Sequence, residues 1–256
     1  GVAYAPHARF FALFPMTEEE GPTACPPLSG LSLEQVAWRE LELLLEEFEK
    51  NSGLVRLCRT AGEAESAARE GKLAAFLSLE GAEGLGCSLD GLRRFYDLGV
   101  RAVNPGWNRD NALCGSCATG KNLGFTEEGK AFVRLAEELG VILDVSHMSE
   151  RSFWDLCGTV KGPIMSSHSN ARALCGHPRN LTDEQFRELC RGGGVAGLNL
   201  YTAFLTDRGS ATVQDAVRHV LHFLELGGEE HIAIGTDFDG CDSLPEGLEG
   251  VQHMGC

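Results

Sequence analysis

The strongest constraint on the fold of this 256-residue chain is an alternation along its length. Short, nearly continuous apolar runs take turns with longer stretches of helical periodicity. The apolar runs cover residues 9–14, 73–79, 100–103, 141–145, 163–166, 195–200 and 232–235. Unbroken apolarity over so few residues marks strands covered on both faces, as in parallel sheets. Between them, Leu33, Val36, Ala37, Leu41, Leu44 and Phe48 recur at three- and four-residue spacing, with Glu34, Glu42, Glu46 and Glu49 on the other faces. Ser32 with Gln35 makes a capping box at the start of that helix. A second helix is expected over 126–139, apolar at Phe132, Leu135, Ala136 and Leu139 and closed by Gly140. Thr182 with Gln185 opens a third, and a fourth runs over 212–226 to Gly227 and Gly228. Strands alternating with helices predict parallel βαβ units, and a (β/α)8 barrel of about 250 residues suits the length. With no linker or shift of composition, residues 1–256 read as one domain. Seven strands are visible where a closed barrel needs eight. The expectation is therefore an α/β chain of TIM-barrel type lacking its first strand and final helix.

Charge and cysteine content exclude several functions. Lysine and arginine total 22 against 37 aspartates and glutamates, a formal charge of −15. Nucleic acid is thereby excluded as an expected partner, because phosphate-backbone binding needs a basic surface. No apolar run approaches the ~18–20 residues of a membrane helix. Residues 1–14 are interrupted by Pro6, His7 and Arg9 and do not read as a signal peptide. Ten cysteines are scattered, several in apolar or helical surroundings (Cys58, Cys157, Cys190), as free thiols of a bacterial cytoplasm would be. The pair Cys114 and Cys117 has C-x-x-C spacing. It lacks the preceding strand and following helix of a redox motif, and a second pair for a zinc knuckle. Gly81, Gly84 and Gly86 are in the wrong order for a dinucleotide loop, and Gly192–Gly194 precede a strand and read as a turn.

Barrels of this type place their reactive groups where strands end. Four of the runs end in suitable residues: Glu80; Ser146 and His147; Ser167, His168 and Ser169; Thr236, Asp237 and Asp239. One carboxylate and two imidazoles converging on a barrel mouth suit zinc or a similar divalent ion. Each residue taken singly also has an ordinary reading, as a solvated turn or a hydrogen-bonded histidine. The other histidines, at positions 7, 177, 219, 222, 231 and 253, read as structural.

At these residues the sequence resembles the membrane (renal-type) dipeptidase family, zinc peptidases of the amidohydrolase-like barrels, and within it the bacterial branch. The resemblance rests on Leu79-Glu80-Gly81, Asp144-Val145-Ser146-His147, Ser167-His168-Ser169-Asn170-Ala171-Arg172, Arg179-Asn180-Leu181-Thr182-Asp183 and Gly235-Thr236-Asp237-Phe238-Asp239-Gly240, in family order. Trp107, Asn108, Asn111 and His177-Pro178 add to it. It implies a dipeptidase acting through a metal-activated hydroxide. By resemblance, Glu80 bridges two zinc ions, His147 and His168 hold the second, and Asp237 shuttles the proton of the nucleophilic water. Arg179 receives the C-terminal carboxylate of a dipeptide, and a carboxylate one residue from the scissile bond selects for substrate length. Tyr201 falls near a substrate-pocket tyrosine, and Trp107 or Asn108 stands where some members have a pocket histidine. A homodimer is implied as well. The family's first strand carries a His-x-Asp pair for the first zinc, and this sequence contains no His-x-Asp. One ion or none is thus an open outcome, and a degenerate barrel that binds without turnover is the rival reading. Another hydrolase on the same scaffold, a lactonase or amidase, is a third. Without the resemblance, Arg179 also fits a surface ion pair, and Asp239 either orients the site or forms a turn. Asn180-Leu181-Thr182 is either a helix cap or a glycosylation acceptor.

Overall fold

A computed structural model describes residues 8–16, 30–248 and 250–253. His7, Cys25 and Cys256 lie outside the described residues. The chain divides into two compact units, one of residues 1–114 with 125–143, the other of 115–124 with 144–256.

The first unit contains β1 (Ala8–Leu13), α1 (Leu33–Lys50), β2 (Val55–Leu57), α2 (Ala61–Arg69), β3 (Leu73–Leu79), α3 (Leu89–Leu98), β4 (Val100–Val103), α4 (Glu127–Leu139) and β5 (Ile142–Leu143). Its sheet runs β1-β3-β4-β5, all parallel. The short β2 also pairs with β3, on Leu73–Ala75, while β4 takes Leu77–Leu79. Helix α1 forms as its periodicity predicts. Ser32 and Gln35 complete the capping box, and Val36, Ala37, Leu41 and Phe48 are buried. In α4, Thr126 caps the first turn and Gly140 closes the last in the left-handed conformation. Glycine lacks the Cβ that makes that conformation costly. The two unforeseen helices of this unit begin on the same chemistry, with Thr60 capping α2 and Ser88 capping α3.

The second unit contains α5 (Glu150–Thr159), β6 (Met165–Ser166), α6 (Asp183–Arg191), β7 (Val195–Leu198), α7 (Thr202–Leu205), α8 (Val213–Glu225) and β8 (Ile232–Ile234). Its strands run β6-β7-β8, again parallel, and Asp144 forms a further parallel bridge to Met165. Thr182 caps α6 in a full capping box, which is the cap reading of that threonine. At the start of α8, Asp215 Oδ2 accepts both the N–H and the hydroxyl of Thr212. Phe186 of α6 stacks on Phe223 of α8 with ring centroids 4.0 Å apart, both rings fully enclosed. His219 is completely buried in α8: its Nδ1 accepts the Ala171 N–H at 3.0 Å, and its Nε2 meets the Leu205 carbonyl at 3.0 Å. Burial pushes its pKa down, so the ring is a neutral brace.

All seven expected strands are present in a parallel α/β fold, together with the unforeseen β2. Among the described residues no helix is long and apolar enough to cross a membrane.

Candidate metal centre

The second unit brings two histidines together. His147 follows the bridge residue Asp144, and His168 follows β6. Both are buried, and their Nε2 atoms face each other at 2.9 Å. His168 is oriented by its neighbour, since Ser167 Oγ lies 2.6 Å from its Nδ1. With Nδ1 engaged, Nε2 is the nitrogen left to point at His147. His147 adopts φ +72°, a left-handed conformation that is uncommon for a residue with a side chain. Its carbonyl accepts hydrogen bonds from Ser116 Oγ at 3.2 Å and from the Cys117 N–H at 2.9 Å.

Asp237, just beyond β8, is a second left-handed residue, with φ +58°. Strain of this kind concentrates at functional sites, where surrounding contacts hold it. The Asp237 carboxylate accepts a hydrogen bond from Asn199 Nδ2 at 3.1 Å. Asn199 is fully buried; its Oδ1 accepts the Tyr201 N–H at 2.6 Å, and its N–H goes to Asn170 Oδ1 at 2.9 Å. One amide side chain therefore sets the positions of both Asp237 and Tyr201. Asn199 follows β7, which ends at Leu198, so it lies within the apolar run 195–200 that reads as a strand and not at that run's end. The thiol of Cys241 also hydrogen-bonds to Asp237, and burial followed by that negative charge pushes the thiol pKa up.

Arg179 is not a surface ion pair. It is 7% exposed, its guanidinium lies over the Phe204 ring at 5.3 Å, and its Nη atoms reach Ser169 Oγ at 3.4 Å and the His168 carbonyl at 3.5 Å. Tyr201 is half-buried, edge-on to the same Phe204 ring at 4.9 Å. Asp239 is exposed in the turn that ends at Gly240, so its turn reading is the one observed.

The first unit carries the remaining three candidates. Glu80 follows β3; its N–H donates to the Leu13 carbonyl at 2.9 Å, which fixes it at the end of the sheet beside β1. Trp107 packs edge-on against Phe14 at 4.9 Å, and Asn108 is exposed. The loop that holds them is knitted by Asn111. Its Nδ2 donates to Glu83 at 2.9 Å and to the Pro105 carbonyl at 2.8 Å, while its Oδ1 accepts from Leu113 and Cys114.

The C-x-x-C pair supplies no thiolate. Burial pushes both thiols up, Cys117 despite the nearby Arg179 and Arg172 charges. The contribution of Cys117 is its backbone N–H on His147. The other structural histidines behave as expected: His222 meets Asp183 at 2.8 Å, His231 the Gly194 carbonyl at 2.7 Å, and His177 packs on Phe204.

The profile of the membrane dipeptidase family, peptidase family M19, matches residues 7–255. The chain belongs to this family. A protein of the pqqA 5' region of Klebsiella pneumoniae is 36% identical over 231 residues, covering 86% of this chain and 84% of that one. A dipeptidase of Schizosaccharomyces pombe is 38% identical over 188 residues, 71% of this chain and 45% of its own. Among solved structures, the dipeptidase AC, a metallopeptidase of the same family, superposes with a TM-score of 0.85 at 31% identity, covering 96% of this chain and 76% of that one. A Rhodobacter sphaeroides metallopeptidase, bound to a phosphinate mimic of L-Ala-D-Ala, gives 0.86 at 31% identity, covering 96% of this chain and 77% of its own. The dipeptidase reading thus holds over its rivals: this is a metal-dependent dipeptidase, a hydrolase with a metal cofactor, with the parallel α/β fold of its relatives.

Proposed function

We propose that the dipeptidase site consists of Glu80, His147 and His168 as metal ligands, Asp237 as proton carrier, and Arg179, Tyr201, Trp107 and Asn108 as substrate contacts. The observation that carries the proposal is the pair of buried imidazoles with Nε2 atoms 2.9 Å apart. Two nitrogens each ~2.0–2.1 Å from one ion must lie within about 4 Å of each other, and these do. Two imidazoles alone share one proton between two facing nitrogens, whereas a cation between them uses both lone pairs. Two nitrogens and one carboxylate oxygen form a donor set suited to zinc, which we propose as the ion. When bound, such an ion polarises the peptide carbonyl and lowers the pKa of water.

The protein's own groups do the rest. Asp237, held at its carboxylate by Asn199, takes the proton of the attacking water and returns it to the leaving amine. Arg179 offers a planar fork to the free carboxylate of the substrate, and its enclosure makes that pairing strong. A carboxylate anchored one residue from the scissile bond limits the substrate to a dipeptide. The L-Ala-D-Ala mimic bound by the Rhodobacter sphaeroides relative supports small residues on both sides of that bond. Glu80, His147 and His168 would together hold an ion; the 256 residues contain no His-x-Asp.

We also propose that the two units act as one domain, that the protein is a homodimer, and that it works in a bacterial cytoplasm. The eight described cysteines support that last reading, as all are free.

The test of the site is metal content per chain together with a panel of dipeptides, tripeptides, N-acyl amino acids and lactones. Bound zinc and cleavage confined to dipeptides are expected. Preferred lactone or N-acyl substrates, or undiminished dipeptide cleavage by His147→Ala, would overturn the proposal.

A further inference from the structure

We infer that Asp144 is the positioning residue that sets both metal-binding imidazoles, an inference that rests on the reading of His147 and His168 as ligands. Asp144 is 3% exposed. Its Oδ1 accepts the Ser146 N–H at 3.0 Å and the Ser167 N–H at 2.9 Å. Those two residues immediately precede His147 and His168. One carboxylate oxygen therefore anchors the backbone on the entry side of both ligands.

Ser146 ties the two segments a second time. Its Oγ accepts the His168 N–H at 3.1 Å and lies 3.3 Å from Oγ of both Ser166 and Ser167. Ser167 Oγ then reaches His168 Nδ1. Asp144 thus holds the backbone of the two serines whose hydroxyls lie 3.3 Å apart, and that of Ser167 meets the ring that faces His147. His147 needs such an anchor because its left-handed backbone has a ready alternative in the extended region. The anchor acts before the strained residue, and the bonds from Ser116 and Cys117 to its carbonyl act after it. Groups that orient metal ligands in this way are typically worth about 10–100-fold in metal affinity.

The experiment compares Zn2+ affinity, by competition with a chromophoric chelator, and the visible spectrum of the Co2+ form. The proteins are the wild type, Asp144→Ala, Asp144→Asn, Ser146→Ala and His147→Ala, each checked for folding by circular dichroism. Asp144→Ala is expected to lose about 10–100-fold in affinity and to change the Co2+ spectrum. Asp144→Asn keeps an oxygen that can accept both N–H groups and is expected to restore affinity to within a few-fold of wild type. Ser146→Ala removes only the second tie and is expected to lose less than Asp144→Ala; if Asp144→Ala does not fold, Asp144→Asn decides, and a loss of about tenfold or more in that folded variant would overturn the inference. Wild-type affinity and spectrum in folded Asp144→Ala would overturn the inference. So would a folded Asp144→Asn as weak as the alanine variant, since charge rather than geometry would then be the cause. His147→Ala separates the two levels. If it binds metal like the wild type, the ligand reading itself fails; if it alone loses affinity, only the role of Asp144 falls.

Discussion

Asp237 and Glu40 show how single residues carry the testable chemistry. A general base contributes about 10²–10⁴-fold to rate, so Asp237→Asn should lower kcat by that range. Affinity for a phosphinate dipeptide mimic should change far less, because the amide still meets Asn199. A kcat close to wild type would remove the proton role. Arg179→Lys tests the carboxylate fork. Lysine presents a point charge in place of a planar pair of donors, so KM for dipeptides should rise at least tenfold with a smaller change in kcat. Glu40, on α1, accepts the Phe14 N–H at 2.9 Å, and burial raises its pKa from 4.5 to about 7. The unfolded chain then ionises this group before the folded one does. Its contribution to stability is fully present below pH 4.5 and is lost as the pH rises through 7. Glu40→Gln keeps an acceptor and removes the titration. Its Tm relative to wild type should therefore climb between pH 5 and pH 8; other groups, His219 among them, are common to both proteins and cancel. A Tm difference that stays flat with pH would show that Glu40 ionises normally in the folded state.

At the scale of elements, the close packing of β6, β7 and β8 ties stability to the site. A Cβ built on Gly197 would lie 1.9 Å from the Ser167 carbonyl oxygen, and one on Gly235 would lie 1.8 Å from the same atom. That oxygen belongs to the residue before His168, so the backbone would have to move. Gly197→Ala should cost about 1–3 kcal/mol or more, read as a lower urea midpoint, and should weaken metal binding in the same protein. A variant destabilised but unchanged in metal affinity would show that the strand gives way elsewhere. The longer helices were legible from their apolar spacing, with caps marking some of their ends, while the capped α2 and α3, of nine and ten residues, were not. Ser32 and Thr182 announced α1 and α6 because a side-chain oxygen three residues before an N–H is a local arrangement, and Gly140 marked the end of α4. The strand β2 was not legible. Val55–Leu57 is three residues long and half-buried, too short for any period, and exists because β3 offers an edge.

For the whole molecule, binding of an ion to the folded state alone must raise stability by mass action. Stripping metal with a chelator should lower Tm and abolish dipeptide cleavage, and added Zn2+ should restore both. If the two units act as one domain, a single cooperative unfolding transition is expected by calorimetry and by circular dichroism alike; two separated transitions would divide them. The alternation of apolar runs and helical periods determined the α/β class, because burial on both faces is written residue by residue. The strand-end residues determined which chemistry was available, and their order along the chain determined the family. What the local pattern could not contain is which groups meet. That Asn199 reaches Asp237, that Arg179 is enclosed rather than paired at the surface, and that Asp144 binds the chain ahead of both histidines are contacts across 38, 10 and 23 residues of sequence. Hydrogen bonds over such separations are set by how strands and loops are brought side by side. The sequence alone therefore named the candidate residues, and only the tertiary structure decided what holds them in place.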